Sequence, residues 1–354
     1  MKPDLRKGNL VARVLAGSWR GSGLPPLEIS ELELDEVSPL LYGSGAAALG
    51  WRRLSQTELS ESPPAELLHQ AHRLLSLQSE IHEEKIERVF RLLRQSSIDA
   101  VLAKGWAAAG LYPERGLRPY GDIDLCIHPR HYKLAQDVLS APELSDCWID
   151  LHEHFSEISD RKIDDVFARA LSVPLRSETI RIVGREDHLA LSAIHLLKHG
   201  AWRPLWLCDI GASVESLPAS FDWKVCLGRD ETRAGWIVSA IGLANVLLAA
   251  NIQALPVSAK LLELPTWLAE NVLKQWANPF AINQPPMSHP TAMAAQWRSP
   301  RGLAKALRER WPDPILATVS VNGRFNSFPR WPYQVANCLS RILRVVTRSL
   351  GAAQ

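Results

Sequence analysis

The sequence has little of what marks several large protein classes. Its five cysteines (Cys126, Cys147, Cys208, Cys226, Cys338) form no Cys-x-x-Cys pair and no even-numbered framework, which fits a reducing cytoplasmic setting without a zinc site. A formal net charge of +2 gives no bulk attraction for a polyanion, so any preference for anions must be local. The N-terminus, Met1-Lys2-Pro3-Asp4-Leu5-Arg6-Lys7, runs into mixed polar residues and lacks the long apolar stretch of a signal peptide. The nearest thing to a membrane span is the uncharged run from Ala234 to Ile252. It carries Ser239, Gly242, Asn245 and Asn251 and lacks aromatic anchors on both flanks, so it reads as a buried core helix. Neither an internal repeat nor a low-complexity tract is present.

What is there suits an ordinary folded chain of two or three packed subdomains: 354 residues, 46% apolar and 22% charged. Thirteen tryptophans, from Trp19 to Trp331, are suited to filling wide gaps between helices. Residues 1–95 read as a helical region. In it Ser60-Glu61-Ser62-Pro63-Pro64 starts a long amphipathic helix that reaches about Gln95 with a break near Ser79. The pattern then shortens into a mixed α/β core over residues 96–184. Strands are expected at Ile98–Ala103, Ile123–Ile127 and Cys147–Phe155, with a hairpin from Val173-Pro174-Leu175 to Thr179–Val183. A helical domain follows over 185–277, its first helix capped by Asp187. The remainder, 278–354, holds a proline-rich loop (Asn278–Pro290) and a basic C-terminal helix. That helix, Trp331–Leu350, sets Val335, Leu339, Ile342 and Val346 against Arg341, Arg344 and Arg348, and either packs on the domain or lies on a membrane surface. The fold class is α+β, mostly helical, with a small mixed sheet.

The chemistry concentrates between Lys104 and His152. Asp122 and Asp124 stand one residue apart, with apolar Ile123, Leu125 and Ile127 between and after them. On a strand such a pair faces one side and offers four oxygens to one point, as a hard divalent cation requires. A third acid, Asp150, lies in Trp148-Ile149-Asp150-Leu151-His152; if its strand pairs beside the first, three carboxylates cluster. Like charges so close repel unless cations neutralise them, which argues for metal. Two Mg²⁺ ions on Asp122, Asp124 and Asp150 suit phosphoryl chemistry, with Asp150 as the candidate general base. Lys104 and Gly105 open a short helix whose first amides, at Gly105 and Trp106, suit a phosphate. Arg118 adds a forked positive charge. Each feature also has a plain structural reading: a chance acid pair, a solvated lysine, a loop salt bridge.

Together, Lys104-Gly105, Leu111-Tyr112, Arg118, Gly121-Asp122-Ile123-Asp124-Leu125 and Asp150-Leu151-His152 resemble the uncharacterised bacterial nucleotidyltransferase family of the DNA polymerase β superfamily. The likeness covers roughly residues 80 to 225 and extends to His195–His199, Leu205-Trp206 and Asp209-Ile210. It implies a minimal nucleotidyltransferase core embedded in helices, Mg²⁺, and a nucleoside triphosphate such as ATP as substrate. Asp122, Asp124 and Asp150 would hold the metal, and Lys104, Gly105 and Arg118 the triphosphate. One departure stands out. The superfamily's phosphate-binding turn is usually Gly-Ser, and here Trp106 follows Gly105, so Lys104 takes over the serine's role or the site is degenerate.

Other residues read as supporting. His188, His195 and His199 share a helical face; no acid or cysteine completes a zinc site, so they are expected to line the cleft or satisfy the core. His152 and His154 either face the triphosphate or make buried hydrogen bonds. Asp209 is expected to anchor an arginine or a backbone amide. The activity expected is transfer of a nucleoside monophosphate to an acceptor that is a small molecule, peptide, protein or RNA end. The alternatives are a toxin-like enzyme acting on transfer RNA, with the tail arginines and Arg301, Lys305, Arg308 and Arg310 supplying a basic groove, and a non-catalytic scaffold of the same fold. A metal-dependent glycosyltransferase shares the Asp-x-Asp pair but not Lys104-Gly105 or the third acid. A phosphatase of the Asp-x-Asp type needs a small-residue turn where Leu125-Cys126-Ile127 stands.

Overall fold

The computed structural model describes residues 3–253, 263–279 and 311–351. The proline-rich stretch from 280 to 290 and the basic residues Arg301, Lys305, Arg308 and Arg310 lie outside the described residues.

Four helices come first: α1 (Pro3–Leu15), α2 (Glu31–Gly43), α3 (Ala47–Leu54) and α4 (Pro63–Gln95). A capping box starts α2, where Ser30 Oγ accepts from the Glu33 amide and the Glu33 carboxylate accepts from the Ser30 amide. The expected break in α4 is absent. Ser79 sits inside one continuous 33-residue helix and its hydroxyl donates to the Leu75 carbonyl one turn back, so it makes no demand on a neighbouring amide.

The α/β core runs β1 (Ala100–Ala103), α5 (Gly105–Ala109), β2 (Ile123–Ile127), α6 (Tyr132–Leu139), β3 (Ile149–His152), α7 (Ile163–Arg169), β4 (Leu171–Leu175) and β5 (Glu178–Ile182). The strands form one mixed sheet in the order β3-β2-β1-β5-β4. β2 runs antiparallel to β1 and parallel to β3, while β5 runs parallel to β1 and closes a hairpin with β4. The α+β class and the hairpin are as expected. The Cys147–Phe155 run keeps its ladder only from Ile149 to His152, because β3 is an edge strand held on one side alone.

Period-two alternation gives the sheet two different faces. Ala100, Leu102, Ile123, Leu125 and Ile127 pack with Ile86, Val89 and Leu93 of α4 in one apolar cluster. Val101, Ala103 and Cys126 point the other way, into a larger cluster built from the helical part. That part comprises α8 (Arg185–Lys198), α9 (Pro204–Glu215), α10 (Trp223–Leu227), α11 (Glu231–Leu248), α12 (Thr266–Trp276), α13 (Pro314–Ser320) and α14 (Trp331–Gly351). The uncharged run falls mostly on α11, whose Ile237, Ile241 and Leu243 are buried. Among the described residues no helix is long and apolar enough to cross a membrane.

Two local expectations change. Asp187 does not cap α8, which begins at Arg185 after Gly184; its buried carboxylate accepts from Arg161 and Arg169 instead. α14 packs against α13, as expected, but by another side: Val335 and Leu339 are exposed, while Asn337 is buried and donates to Ser320 Oγ.

Candidate active site

The sheet face that meets the helices carries the acids. Ile123 and Leu125 point to α4, so alternation turns Asp124 to the opposite side, where it is only 3% exposed. The parallel register sets Asp150 directly beside Asp124 and His152 beside Cys126. Since Asp150 and His152 are two residues apart on one strand, they share that face. Carboxylate oxygens of Asp124 and Asp150 and a ring nitrogen of His152 lie within 4.8 Å of one another. His152 Nε2 is 3.1 Å from Asp150 Oδ2 and 3.5 Å from Asp124 Oδ1. It is buried, and neither approach is aligned as a hydrogen bond.

Lys104 joins this group from the end of β1. Its Nζ donates to Asp124 Oδ1 at 2.8 Å and lies 5.8 Å from the Phe155 ring centroid. Its backbone is at φ 52°, ψ −135°, a conformation that costs a non-glycine residue on the order of 1–3 kcal/mol and that clusters at functional sites. Burial opposes the lysine's charge, but Asp124 outweighs it and raises the ammonium above its ordinary value. Burial likewise works against ionised Asp124, yet His152 and Lys104 hold its carboxyl below the usual range. Gly105 fits where a larger residue would crowd: a Cβ there would meet Tyr120 Cβ at 3.3 Å and the Asp122 carbonyl oxygen at 3.4 Å.

Arg118 is placed differently from the expectation. It is buried and committed to Asp209: Nη2 donates to Oδ2 at 2.8 Å and Nε reaches both carboxylate oxygens at 3.2 and 3.3 Å. Tyr112 Oη donates to the same carboxylate at 2.8 Å. Asp209 therefore anchors an arginine, as expected, and the Leu111-Tyr112 and Arg118 segments are tied to α9 through it.

The helical wall brings in His195, His199 and Trp206, which the resemblance includes, and the turn after β3 adds Glu157, which it does not. Glu157, from the turn after β3, pairs with His195 Nδ1 at 3.3 Å. Burial opposes its charge, but His195 and then Lys104 keep the carboxyl well below its ordinary value. His199 lies one turn beyond His195, ring centroids 4.5 Å apart, and burial beside His195 pushes it down to about 4. Trp206 packs edge-on against His195, 4.7 Å between centroids. His188 does not join them. Seven residues earlier, it lies two turns, roughly 10 Å, along the helix, and it lines a separate cavity on the other side of α5. Trp106 points into that second cavity too, its indole N–H donating to Glu83 at 3.2 Å, so the missing serine hydroxyl leaves no bulky replacement in the site.

All six residues expected in the site, Lys104, Gly105, Arg118, Asp122, Asp124 and Asp150, line one open cavity of about 680 Å³ between the sheet and α8–α9. Asp122 is the loose member. It precedes β2, is exposed, and stands outside the close group of Asp124, Asp150 and His152. The pairing of Asp150 with Asp124 is as expected; the third close donor is His152. The same alternation that links Asp122 to Asp124 links Asp150 to His152 and could have marked it. Glu157, in a short irregular turn, carries no such signal.

The donor set suits a divalent cation. Two carboxylates and a buried imidazole nitrogen without an aligned hydrogen bond converge on one point, and uncompensated they repel. Comparison with known proteins bears out the resemblance read from the motif: residues 30–142 match the model of a family described as uncharacterised nucleotidyltransferase. The matched segment contains Lys104, Gly105, Arg118, Asp122 and Asp124 and ends before Asp150. No curated protein and no solved structure matches the chain.

Proposed function

We propose that this cavity transfers a nucleoside monophosphate from a nucleoside triphosphate to an acceptor hydroxyl or amine in the cytoplasm: the acceptor atom bonds to the α-phosphorus, the α–β phosphoanhydride bond breaks, and pyrophosphate leaves. One observation carries the reading: Asp124, in the segment that matches a nucleotidyltransferase family, is brought by strand register against Asp150 beyond that segment, with Lys104 at 2.8 Å. Asp124, Asp150, His152 and, from the rim, Asp122 would hold a divalent cation such as Mg²⁺, or a pair of them, which would supply positive charge to the phosphates and make the acceptor hydroxyl more acidic.

The chain's own residues do the rest. Lys104 neutralises Asp124 until the triphosphate arrives and then supplies a point charge to the phosphate oxygens. Asp150, with a side chain 56% exposed and His152 at 3.1 Å, is placed to take the acceptor's proton. The Arg118–Asp209 pair fixes the loop that leads into Asp122, so the acids stay in register with α9. The open mouth of the cavity admits an acceptor of moderate size, which keeps small molecules, peptides, protein side chains and RNA ends as candidates.

The test is incubation with each of the four α-labelled triphosphates and Mg²⁺ in a cell lysate. Label should appear on an acceptor with wild type and be absent with Asp124→Ala and with Asp150→Ala. Equal labelling by wild type and both variants, or no labelling by wild type with any triphosphate, defeats the assignment.

A further inference from the structure

Three cations line the cavity, and two are already answered within the protein: Lys104 by Asp124 and Arg118 by Asp209. Arg203 is not. Among the described residues no carboxylate lies within 4.0 Å of its guanidinium. Among the described residues its one hydrogen bond runs from Nε to the Ser44 carbonyl at 2.8 Å, and neither terminal amino group has an acceptor there. The guanidinium carbon lies over the Trp206 ring, 5.7 Å from its centroid. Burial, with Arg118 nearby, lowers its pKa to about 10 against the opposing charges of Asp209 and Asp122.

The surroundings are shaped to hold it. Gly45, at φ +77°, lets the α2–α3 turn come so close that a Cβ there would sit 2.5 Å from Arg203 Nη2. Gly200 and Ala201, both left-handed at φ 71° and 57°, reverse the chain after α8 just before Arg203. A left-handed alanine is uncommon and is kept only where its surroundings require it. The N-terminal helices and the α8–α9 connection thus combine to present one unsatisfied forked donor to the same cavity as the acids. Arg203 lines the same cavity as Asp122, Asp124 and Asp150.

We infer that Arg203, and not Arg118, is the arginine that grips the outer phosphates of the nucleoside triphosphate. The inference rests on the nucleotidyl-transfer reading for the identity of the ligand, but the anion site it describes can be tested without any transfer. Its chemistry is the bidentate pairing of a planar guanidinium with phosphate oxygens. Five carboxylates also line the cavity, so the phosphates have to enter with a divalent cation.

Calorimetric titration of wild type, Arg203→Gln and Arg203→Lys with magnesium tripolyphosphate, magnesium ATP and AMP tests the assignment. Arg203→Gln should bind tripolyphosphate and ATP at least about tenfold more weakly and leave any AMP affinity unchanged. Arg203→Lys, which keeps the charge and loses the fork, should fall between, and it carries the test if Arg203→Gln does not fold. Unchanged tripolyphosphate affinity in both variants, an equal loss for AMP, or no binding of tripolyphosphate by wild type overturns the inference. Tripolyphosphate carries no nucleoside, so Arg203-dependent binding without label transfer would sustain the anion site and defeat nucleotidyl transfer alone.

Discussion

Two buried ion pairs line the same cavity and are built to different ends. In the Arg118–Asp209 pair every strong group is used: the guanidinium donates twice to the carboxylate and once to the Pro119 carbonyl, and Tyr112 donates to the carboxylate from another side. The Lys104–Asp124 pair is a single contact from a lysine on a strained backbone. Its carboxylate is crowded by a second acid and by an imidazole that hydrogen-bonds neither. A saturated pair gains nothing by opening and acts as a strut. An unsaturated one has lower cost to open and further donors ready for a cation, and that is how an ion pair is kept exchangeable.

The sharpest way to break this comparison is to remove one carboxylate or guanidinium from each pair. Asp124→Asn should reduce label transfer by about a thousandfold or more, with thermal unfolding close to wild type. Arg118→Met leaves Asp209 charged and buried, and should cost on the order of 3–5 kcal/mol of stability, read as a fall in denaturation midpoint. If Asp124→Asn unfolds as readily as Arg118→Met, the exchangeable pair is a strut as well and the distinction fails.

Next in size are effects on the ligands. His152→Ala should weaken Mg²⁺ or Mn²⁺ binding roughly 10- to 100-fold, measured by calorimetry in the absence of nucleotide. Lys104→Met should act in the opposite sense on the metal, because Asp124 then loses its internal cation, while the KM for triphosphate rises about tenfold. Metal affinity lowered by both substitutions would mean that Lys104 supports the cluster and does not compete with it.

How much of this is legible in the sequence follows from the range of the interactions. Asp122, Asp124 and Asp150 declare themselves because acids flanked by alternating apolar residues are a local pattern. The register that sets Asp150 beside Asp124 was foreseeable only as a condition on strand pairing. Arg118 could not be resolved, since a phosphate ligand and a structural anchor look alike until Asp209, on α9, is seen to take the guanidinium. Glu157 and Arg203 lie in irregular connections with no periodicity to mark them. Arg203 is defined by what it lacks among the described residues, a carboxylate partner, and that is a property of the folded surroundings alone. The break expected near Ser79 failed for a simpler reason: a serine can satisfy its hydroxyl on its own helix and leave the helix intact.

The smallest effect concerns the Arg118–Asp209 end and stability alone. His188 is buried near both residues, and burial lowers its pKa to about 4 against the ordinary value near 6.5. Between those values the unfolded chain binds a proton that the folded chain refuses, so stability rises with pH across that window. His188 should therefore favour folding fully above about pH 6.5 and progressively less as the pH falls toward 4. In His188→Leu the difference in unfolding midpoint between pH 7.5 and pH 5 should shrink by several degrees. An unchanged difference in His188→Leu would mean that Asp209 compensates the imidazolium, and the Arg118–Asp209 pair would then have spare capacity that its hydrogen bonds do not reveal.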